Sequence, residues 1–513
     1  MSSENLFARF EQRALSDPRQ VLLHTKNALS AAQITYTYAD MLRESARVAQ
    51  ALTDLGLRPG DRVSVQVEKS VANLWLYLGA LRAGLVFHPL NTAYALDEMR
   101  WFLGNAEPGA LICDPSRVDE YRPLCEEFAI PHLLTLDREG QGSFTAQLPE
   151  GEPAFATVPR GRDDLAALLY SSGTTGRPKG IMLSHGNLAA NVEVLVDYWG
   201  FTSDDVLLHA LPIYHVHGLF VAIHCVLDAG ASMHWLPAFD ARTVLERLPD
   251  CSVMMGVPTY YTRLLALPEF GRASCQGMRL FISGSAPLLE DTFNEFADRT
   301  GHRILERYGM SETGMNSSNP LEGERRPGTV GYPLPGTEIR IVDDSREPLP
   351  AGEIGEIEVR GANVFSGYWR MPEKTSEDID ADGWFHTGDQ GVIDERGYLS
   401  IVGRSKDMVI TGGLNVYPKE VERVLDACEG VRESAVFGVP HPDFDEAVVA
   451  AVVPEAGAVL DESALREALS ASLAKFKVPK RFQILDALPR NAMGKVQKKQ
   501  LRESWPWAFD GAS

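Results

Sequence analysis

With 513 residues, 44% of them hydrophobic and 23% charged, the chain has the material for a sizeable core spread over two or three domains and lacks the composition of a disordered protein. Its 70 acidic against 49 basic side chains give a net charge of −21, which excludes broad binding to a nucleic-acid backbone and requires any anionic ligand to be held by local cations. The six cysteines are scattered without a CxxC, no long apolar run occurs, and the opening MSSENLFARFEQRALSDPRQ carries acids, so a reduced, cytoplasmic protein without membrane insertion is expected.

In chain order, residues 1–160 alternate helical and strand patterns. YADMLRESARVAQALTDLGL has helix periodicity, RVSVQVE is a strand, and LWLYLGALRAG is an apolar helix before VFHPL. This βαβ-like alternation predicts a mostly parallel sheet. LAALLY (165–170) and GIML (180–183) read as the two strands of a hairpin closed by YSSGTTGRPKG. Residues 184–300 continue with helix SHGNLAANVEVLVDYW, strand DVLLHAL, a helix from about 218, strand SVMMGV, helix TYYTRLLAL and strand RLFISG. From about 323 the texture changes to short strands and turns (TEIRIVDD, GEIGEIEVRG, GWFHTGD, GYLSIVGR), a β-rich subdomain. After Gly403 a unit of strands and helices reads as a separate small α+β domain. The expected fold class is α/β: a large N-terminal domain of doubly wound sheets with a β-rich subdomain (1–403), and a small α+β C-terminal domain (404–513).

Chemistry gathers where predicted strands end, which is where open parallel sheets bind ligands. In YSSGTTGRPKG, small hydroxyl and glycine residues let backbone N–H groups converge on an anion, and Arg177 and Lys179 add charge suited to a polyphosphate. It is not a P-loop, because Pro178 stands where that motif needs glycine. The histidines of YHVHG (214–218) lack further nearby metal ligands and read as pocket residues. SGSAPL (283–288) follows a strand and places a helix N-terminus at Pro287. RYGMSETG (307–314) sets an aromatic, a glycine and a carboxylate in one turn, and Glu312 beside an anionic loop calls for a bridging Mg²⁺. HTGDQG offers Asp389 at a tight turn for ribose hydroxyls, GRSKD offers Arg404, and PRNAMGKVQKKQL presents Lys495, whose point charge suits a developing phosphorane.

Taken together, these stretches resemble the acyl-adenylate-forming enzymes, the superfamily of acyl-CoA synthetases, peptide-synthetase adenylation domains and luciferases. YSSGTTGRPKG resembles their phosphate loop, RYGMSET their adenine and Mg²⁺ motif, TGD their ribose aspartate, GRSKD their hinge and NAMGKV their catalytic-lysine motif, in the right order over nearly the whole chain. The resemblance implies a mobile C-terminal domain and two half-reactions: a carboxylate and ATP give acyl-AMP and diphosphate, and the CoA thiol then displaces AMP. It assigns ATP binding to Ser171, Ser172, Gly173, Thr174, Thr175, Gly176, Arg177, Pro178, Lys179, Gly284, Ser285, Ala286, Arg307, Tyr308, Gly309, Met310, Ser311, Asp389 and Arg404. It places Mg²⁺ on Thr174 and Glu312, the hinge at Lys406, CoA contacts at Gly412 and Gly413, and catalysis with Lys495 and His217.

LPIYHVHGLF, MRLFISGSAPL and ERYGMSETGMNSSNP are further similar to malonyl-CoA synthetases. A dicarboxylate must have its distal carboxylate paired in the pocket, because an unpaired buried charge is very costly. Arg263, Arg279 and Arg307 are the candidate cations. Arg279 enters its strand too far from the ligand end, and Arg307 stands in a position shared by relatives with other substrates. Arg263 is therefore the expected partner, helped by His217 and Ser283, with Met310 limiting pocket depth. Methylmalonate or another short acid is the alternative substrate, since a methyl group is worth only about 1–3 kcal/mol of discrimination. A serine hydrolase is excluded at SGSAP, where Pro287 replaces the second glycine of GxSxG, and a dinucleotide fold lacks GxGxxG. The expected assembly is a monomer or homodimer that binds a small dicarboxylate, ATP and CoA.

Overall fold

The computed structural model describes residues 4–26, 32–171, 178–404, 407–411, 414–441, 445–473, 475–491 and 494–505. The strands Val253–Gly256 and Leu280–Ser283 are buried at every position, the pattern of parallel strands covered by helices on both faces. They lie in a nine-stranded sheet ordered Tyr332–Pro333, Gly314–Ser318, Leu305–Met310, Leu280–Ser283, Val253–Gly256, Val206–His209, Ser232–Trp235, Val21–Lys26, Gln33–Thr37. Its middle is parallel and its edges antiparallel. A six-stranded sheet runs His132–Thr135, Ala110–Cys113, Arg62–Gln66, Val86–Pro89, Leu165–Ser171, Lys179–Ser184, parallel except for the last hairpin. The helix Val71–Arg82, apolar nearly all round, shares one core cluster with strands of both sheets.

Strands Thr337–Val342, Gly355–Gly361, Phe385–Ile393 and Leu399–Arg404 form an antiparallel four-stranded sheet around Ile341, Ile357, Val359 and Leu399. Beyond it, five strands with the helices Pro418–Asp426 and Glu462–Ser472 make a unit whose two apolar clusters draw only on residues between 409 and 505. The molecule is α/β, with the β-rich subdomain and the small α+β C-terminal unit that the sequence pattern predicts.

Four local readings are corrected. Arg307, Tyr308, Gly309 and Met310 belong to the strand Leu305–Met310, which pairs with Gly314–Ser318, so only the following residues, Glu312 among them, form the turn. Asp389 sits inside the strand Phe385–Ile393 opposite Arg404. Both segments carry glycine, and the second also Asp389, residues depleted in strands, so they read locally as turns, but ladder pairing holds them extended. The helix after SGSAP begins at Glu290, past Pro287. The helix expected near 218 opens as a π-helical stretch, His217–Ile223, before the α-helix His224–Ala229.

Candidate active site

The ends of the parallel strands meet the β-rich subdomain at one cleft. The Tyr308 hydroxyl donates to Asp389 Oδ2 at 2.6 Å, and Arg404 Nε reaches Asp389 Oδ1 at 2.8 Å. Three motifs far apart in sequence thus share one carboxylate, which is almost fully buried. The Arg404 guanidinium is held above its usual range chiefly by Asp389, and Tyr308 and Glu312 act in the same direction.

Beside this lies a cluster of buried polar atoms. Register pairs Gly256 with Ser283 and Ser283 with Glu306, so Arg307 emerges beside Ser283 at the strand ends. Arg307 is 3% exposed, and its Nε and Nη2 have no hydrogen-bond partner among the described residues. Burial lowers the guanidinium to about 10, which still leaves it charged at neutral pH. Gly284 is required here: a Cβ on it would lie 2.4 Å from the Arg307 guanidinium carbon. Ser285, whose hydroxyl is 3.3 Å from His217 Nδ1, adopts φ +71° without being glycine, a strained backbone of the kind found at binding sites. His217 Nε2 and Ser283 Oγ are also buried without partners. Burial, then the neighbouring Arg307, keep His217 neutral. A charged fork and two further unpartnered polar groups, all buried and close together, have the chemistry to pair with a carboxylate.

Lys495, in the C-terminal unit, lies within electrostatic reach of Arg404, Asp389, Glu312 and Arg307. Its side chain keeps exposed surface, and the protein around it, then Arg404, lowers its amine. Its turn is pinned by Asn491, whose N–H donates to Lys495 O at 2.9 Å and whose Oδ1 accepts from Lys495 N at 3.0 Å. Burial raises the Glu312 carboxyl, while Lys179, Arg404 and Lys495 draw it back down. Among the described residues no group of three or more His, Cys, Asp or Glu could cage a metal. A single buried carboxylate facing a phosphate site nonetheless fits Mg²⁺, which is bound through one or two carboxylates together with substrate phosphates. Lys179 is 3.5 Å from Asp378 and lies over the Tyr368 ring at 4.2 Å.

Residues 10–369 match the AMP-binding enzyme model and residues 420–495 the model of the AMP-binding enzyme C-terminal domain. The chain belongs to the AMP-binding enzyme family. It is 35% identical to the mitochondrial malonate–CoA ligase of Bos taurus, covering 92% of this chain and 87% of that protein. It is 38% identical to a feruloyl-CoA synthase of Amycolatopsis sp, covering 91% and 93%. Among solved structures it is similar to ATP-bound MatB of Rhodopseudomonas palustris, at 53% identity over 98% of this chain and 99% of that one, with TM-score 0.94. Apo MatB, at the same identity, gives 0.85. The overall similarity is thus higher to the ATP-bound than to the apo structure.

Of the candidate residues, the structure brings together Lys179, Ser283, Gly284, Ser285, Arg307, Tyr308, Glu312, Asp389, Arg404, Lys495 and His217. Met310 is half-buried 3.8 Å from the Tyr308 hydroxyl, Gly309 lies beside it in the strand, and Pro178 O accepts from Trp101 Nε1 at 3.0 Å. Ser171 closes its strand, and Ala286 and Ser311 lie in the two loops. Ser172, Gly173, Thr174, Thr175, Gly176, Arg177, Lys406, Gly412 and Gly413 lie outside the described residues. Arg279 turns away, pairing with Asp205 at 2.7 Å, as its distance from the strand end predicts. Arg263 is exposed on the helix Pro258–Leu265, whereas Arg307 is buried beside Ser283 and Gly284. Sequence spacing could not separate the two, because burial is set by packing between elements.

Sequence reasoning also missed a cavity of about 230 Å³ next to this pocket, lined by Lys69, Thr92, Tyr214, Phe239 and Tyr260. Lys69 is buried there with no carboxylate partner among the described residues, hydrogen-bonded to His209 Nδ1 (2.8 Å) and His209 O (3.0 Å) and with its ammonium over the Trp235 ring. His209 Nε2 in turn meets Gly218 O at 2.9 Å, beside His217. No local motif links residues 69, 209 and 235.

Proposed function

We propose that this AMP-binding enzyme is an ATP-dependent malonyl-CoA synthetase, converting malonate, ATP and CoA into malonyl-CoA, AMP and diphosphate through malonyl-AMP. The observation that carries the substrate is Arg307, a buried cation with two unused donor positions, set beside the nucleotide motifs. A monocarboxylate would leave that guanidinium unpaired; a dicarboxylate pairs it while presenting its other carboxylate to ATP. His217 and Ser283 complete the hydrogen bonding, and Met310 limits depth. As a flexible unbranched wall, Met310 admits one extra methyl, which supports methylmalonate as a second substrate.

In this reading Asp389 accepts from the ribose hydroxyls alongside Tyr308 and Arg404, and the loop of residues 171–179, with Gly284, Ser285, Ala286 and Ser311, surrounds the nucleotide. Lys179 and Lys495 offset the charge that develops as carboxylate attacks the α-phosphorus. Mg²⁺ held by Glu312 and Thr174 would neutralise phosphate oxygens. After adenylation Lys495 has no further part, and rotation at Lys406 exchanges its face for the one bearing Gly412 and Gly413. We place the enzyme in the cytoplasm as a monomer or homodimer: its six cysteines are all unpaired, five of them buried, which suits a reducing compartment, and no helix among the described residues is long and apolar enough to cross a membrane.

Carboxylate-dependent pyrophosphate exchange across malonate, methylmalonate, succinate and acetate tests the assignment. Malonate should lead, with methylmalonate next. Equal use of malonate and acetate would remove the basis for the assignment.

A further inference from the structure

The phosphate-loop lysine already has an anionic partner inside the protein. Asp378 ends the helix Pro372–Asp378, where a carboxylate faces the negative end of the helix dipole and is misplaced by local preference. It is held there from three sides. Lys374 reaches it at 2.8 Å, the Tyr368 hydroxyl hydrogen-bonds to it, and Lys179 lies 3.5 Å away, with the Lys179 and Asp378 side chains each only 18% exposed.

The frame carrying this carboxylate is built onto the lysine's own strand. Trp369 N–H donates to Gly180 O at 2.7 Å, Met182 N–H to Gly367 O at 3.1 Å, and Ser366 N–H to Met182 O at 2.9 Å, so residues 366–369 run alongside Lys179–Ser184. Tyr368 N–H donates to Thr375 Oγ1 at 2.9 Å, which ties the helix to the same frame. Asp378 is thus fixed relative to Lys179, and the lysine's flexible stem is the part able to change partners.

We infer that Asp378 is an internal stand-in for phosphate: it occupies Lys179 until nucleotide arrives and takes the lysine back when diphosphate departs. The inference rests on the reading that Lys179 meets the β- and γ-phosphates. A ligand that must displace a resident partner binds more weakly by the fraction of molecules in which the lysine is free. Asp378 therefore lowers affinity for ATP and diphosphate, and eases release of diphosphate after adenylation.

Equilibrium titrations of the full chain with MgATP, Mg-diphosphate and AMP, without carboxylate, provide the test. Asp378→Asn keeps a partner for the Tyr368 hydroxyl but removes the charge, so MgATP and Mg-diphosphate should bind about three- to tenfold tighter. AMP, which lacks the outer phosphates, should bind as in the parent, and Asp378→Glu should restore parental affinity for all three. In a Lys179→Gln background, Asp378→Asn should change nothing. Unchanged or weaker MgATP binding in Asp378→Asn would overturn the inference in favour of a carboxylate that merely positions Lys179. Should AMP tighten equally, the effect would be general and the inference would again fail. If Lys179→Gln alone leaves MgATP affinity intact, the underlying reading of Lys179 is what fails.

Discussion

Replacing Arg307 by methionine should convert a dicarboxylate pocket into one that no longer distinguishes malonate from propionate. Arg307 is 3% exposed, its Nε and Nη2 are unpartnered, and burial leaves it charged at neutral pH. With the guanidinium gone, the distal carboxylate of malonate would meet only a neutral His217 and the Ser283 hydroxyl. Leaving one member of a buried ion pair alone costs about 3–5 kcal/mol. That corresponds to a loss of roughly two to three and a half powers of ten in kcat/KM for malonate. Propionate, which presents a methyl group to the same spot, should hold steady or improve in Arg307→Met. Arg307→Lys should be intermediate, since an ammonium keeps the charge but loses the two-pronged geometry. The assay is acid-dependent pyrophosphate exchange, with MgATP affinity and thermal unfolding measured alongside to exclude a damaged nucleotide site. A malonate loss smaller than about tenfold, or an equal loss for both acids, would refute the argument that Arg307 pairs the second carboxylate. Arg263→Ala is the natural comparator: as an exposed side chain it should shift kcat/KM by less than about threefold.

Lys495→Ala should abolish malonyl-AMP formation while largely sparing thioester formation from supplied malonyl-AMP; equal loss in both half-reactions would contradict its role. Because burial and Arg404 lower the Lys495 amine, adenylation should decline on the alkaline side below the usual lysine range, as the proton is lost with rising pH, while the thioester step stays flat. Glu306 sets a pH dependence of stability. Burial, opposed by the Leu288 N–H that donates to its Oε1 at 3.0 Å, raises its carboxyl from 4.5 to about 7. The native state then keeps a proton that the unfolded chain releases, so this contribution is complete below pH ~4.5 and is lost as pH rises through ~7, about 3 kcal/mol in all. Glu306→Gln keeps the acceptor for Leu288 and should flatten the urea midpoint between pH 5 and 8; a slope equal to the parent's would count against it.

The element order, the doubly wound sheets and the sites along the chain where ligand chemistry gathers follow from local pattern: continuously apolar short strands, helical periodicity between them, and glycine and hydroxyl residues at strand ends. These are near-neighbour properties, so one chain of letters carries them. What the letters did not carry is direction. YGM and TGD looked like turns because their glycines and Asp389 disfavour strands, and only pairing with Gly314–Ser318 and Leu399–Arg404 keeps them extended and aims Tyr308 and Asp389 at one another. Of the three candidate arginines, sequence reasoning favoured Arg263. Tertiary packing sent Arg279 to Asp205, left Arg263 in water and buried Arg307 against a glycine that alone leaves it room. The Asp378–Lys179 pair and the Lys69–His209–Trp235 cluster join residues far apart in the chain, and nothing short of the folded layers could have brought them within hydrogen-bonding or ring-stacking distance.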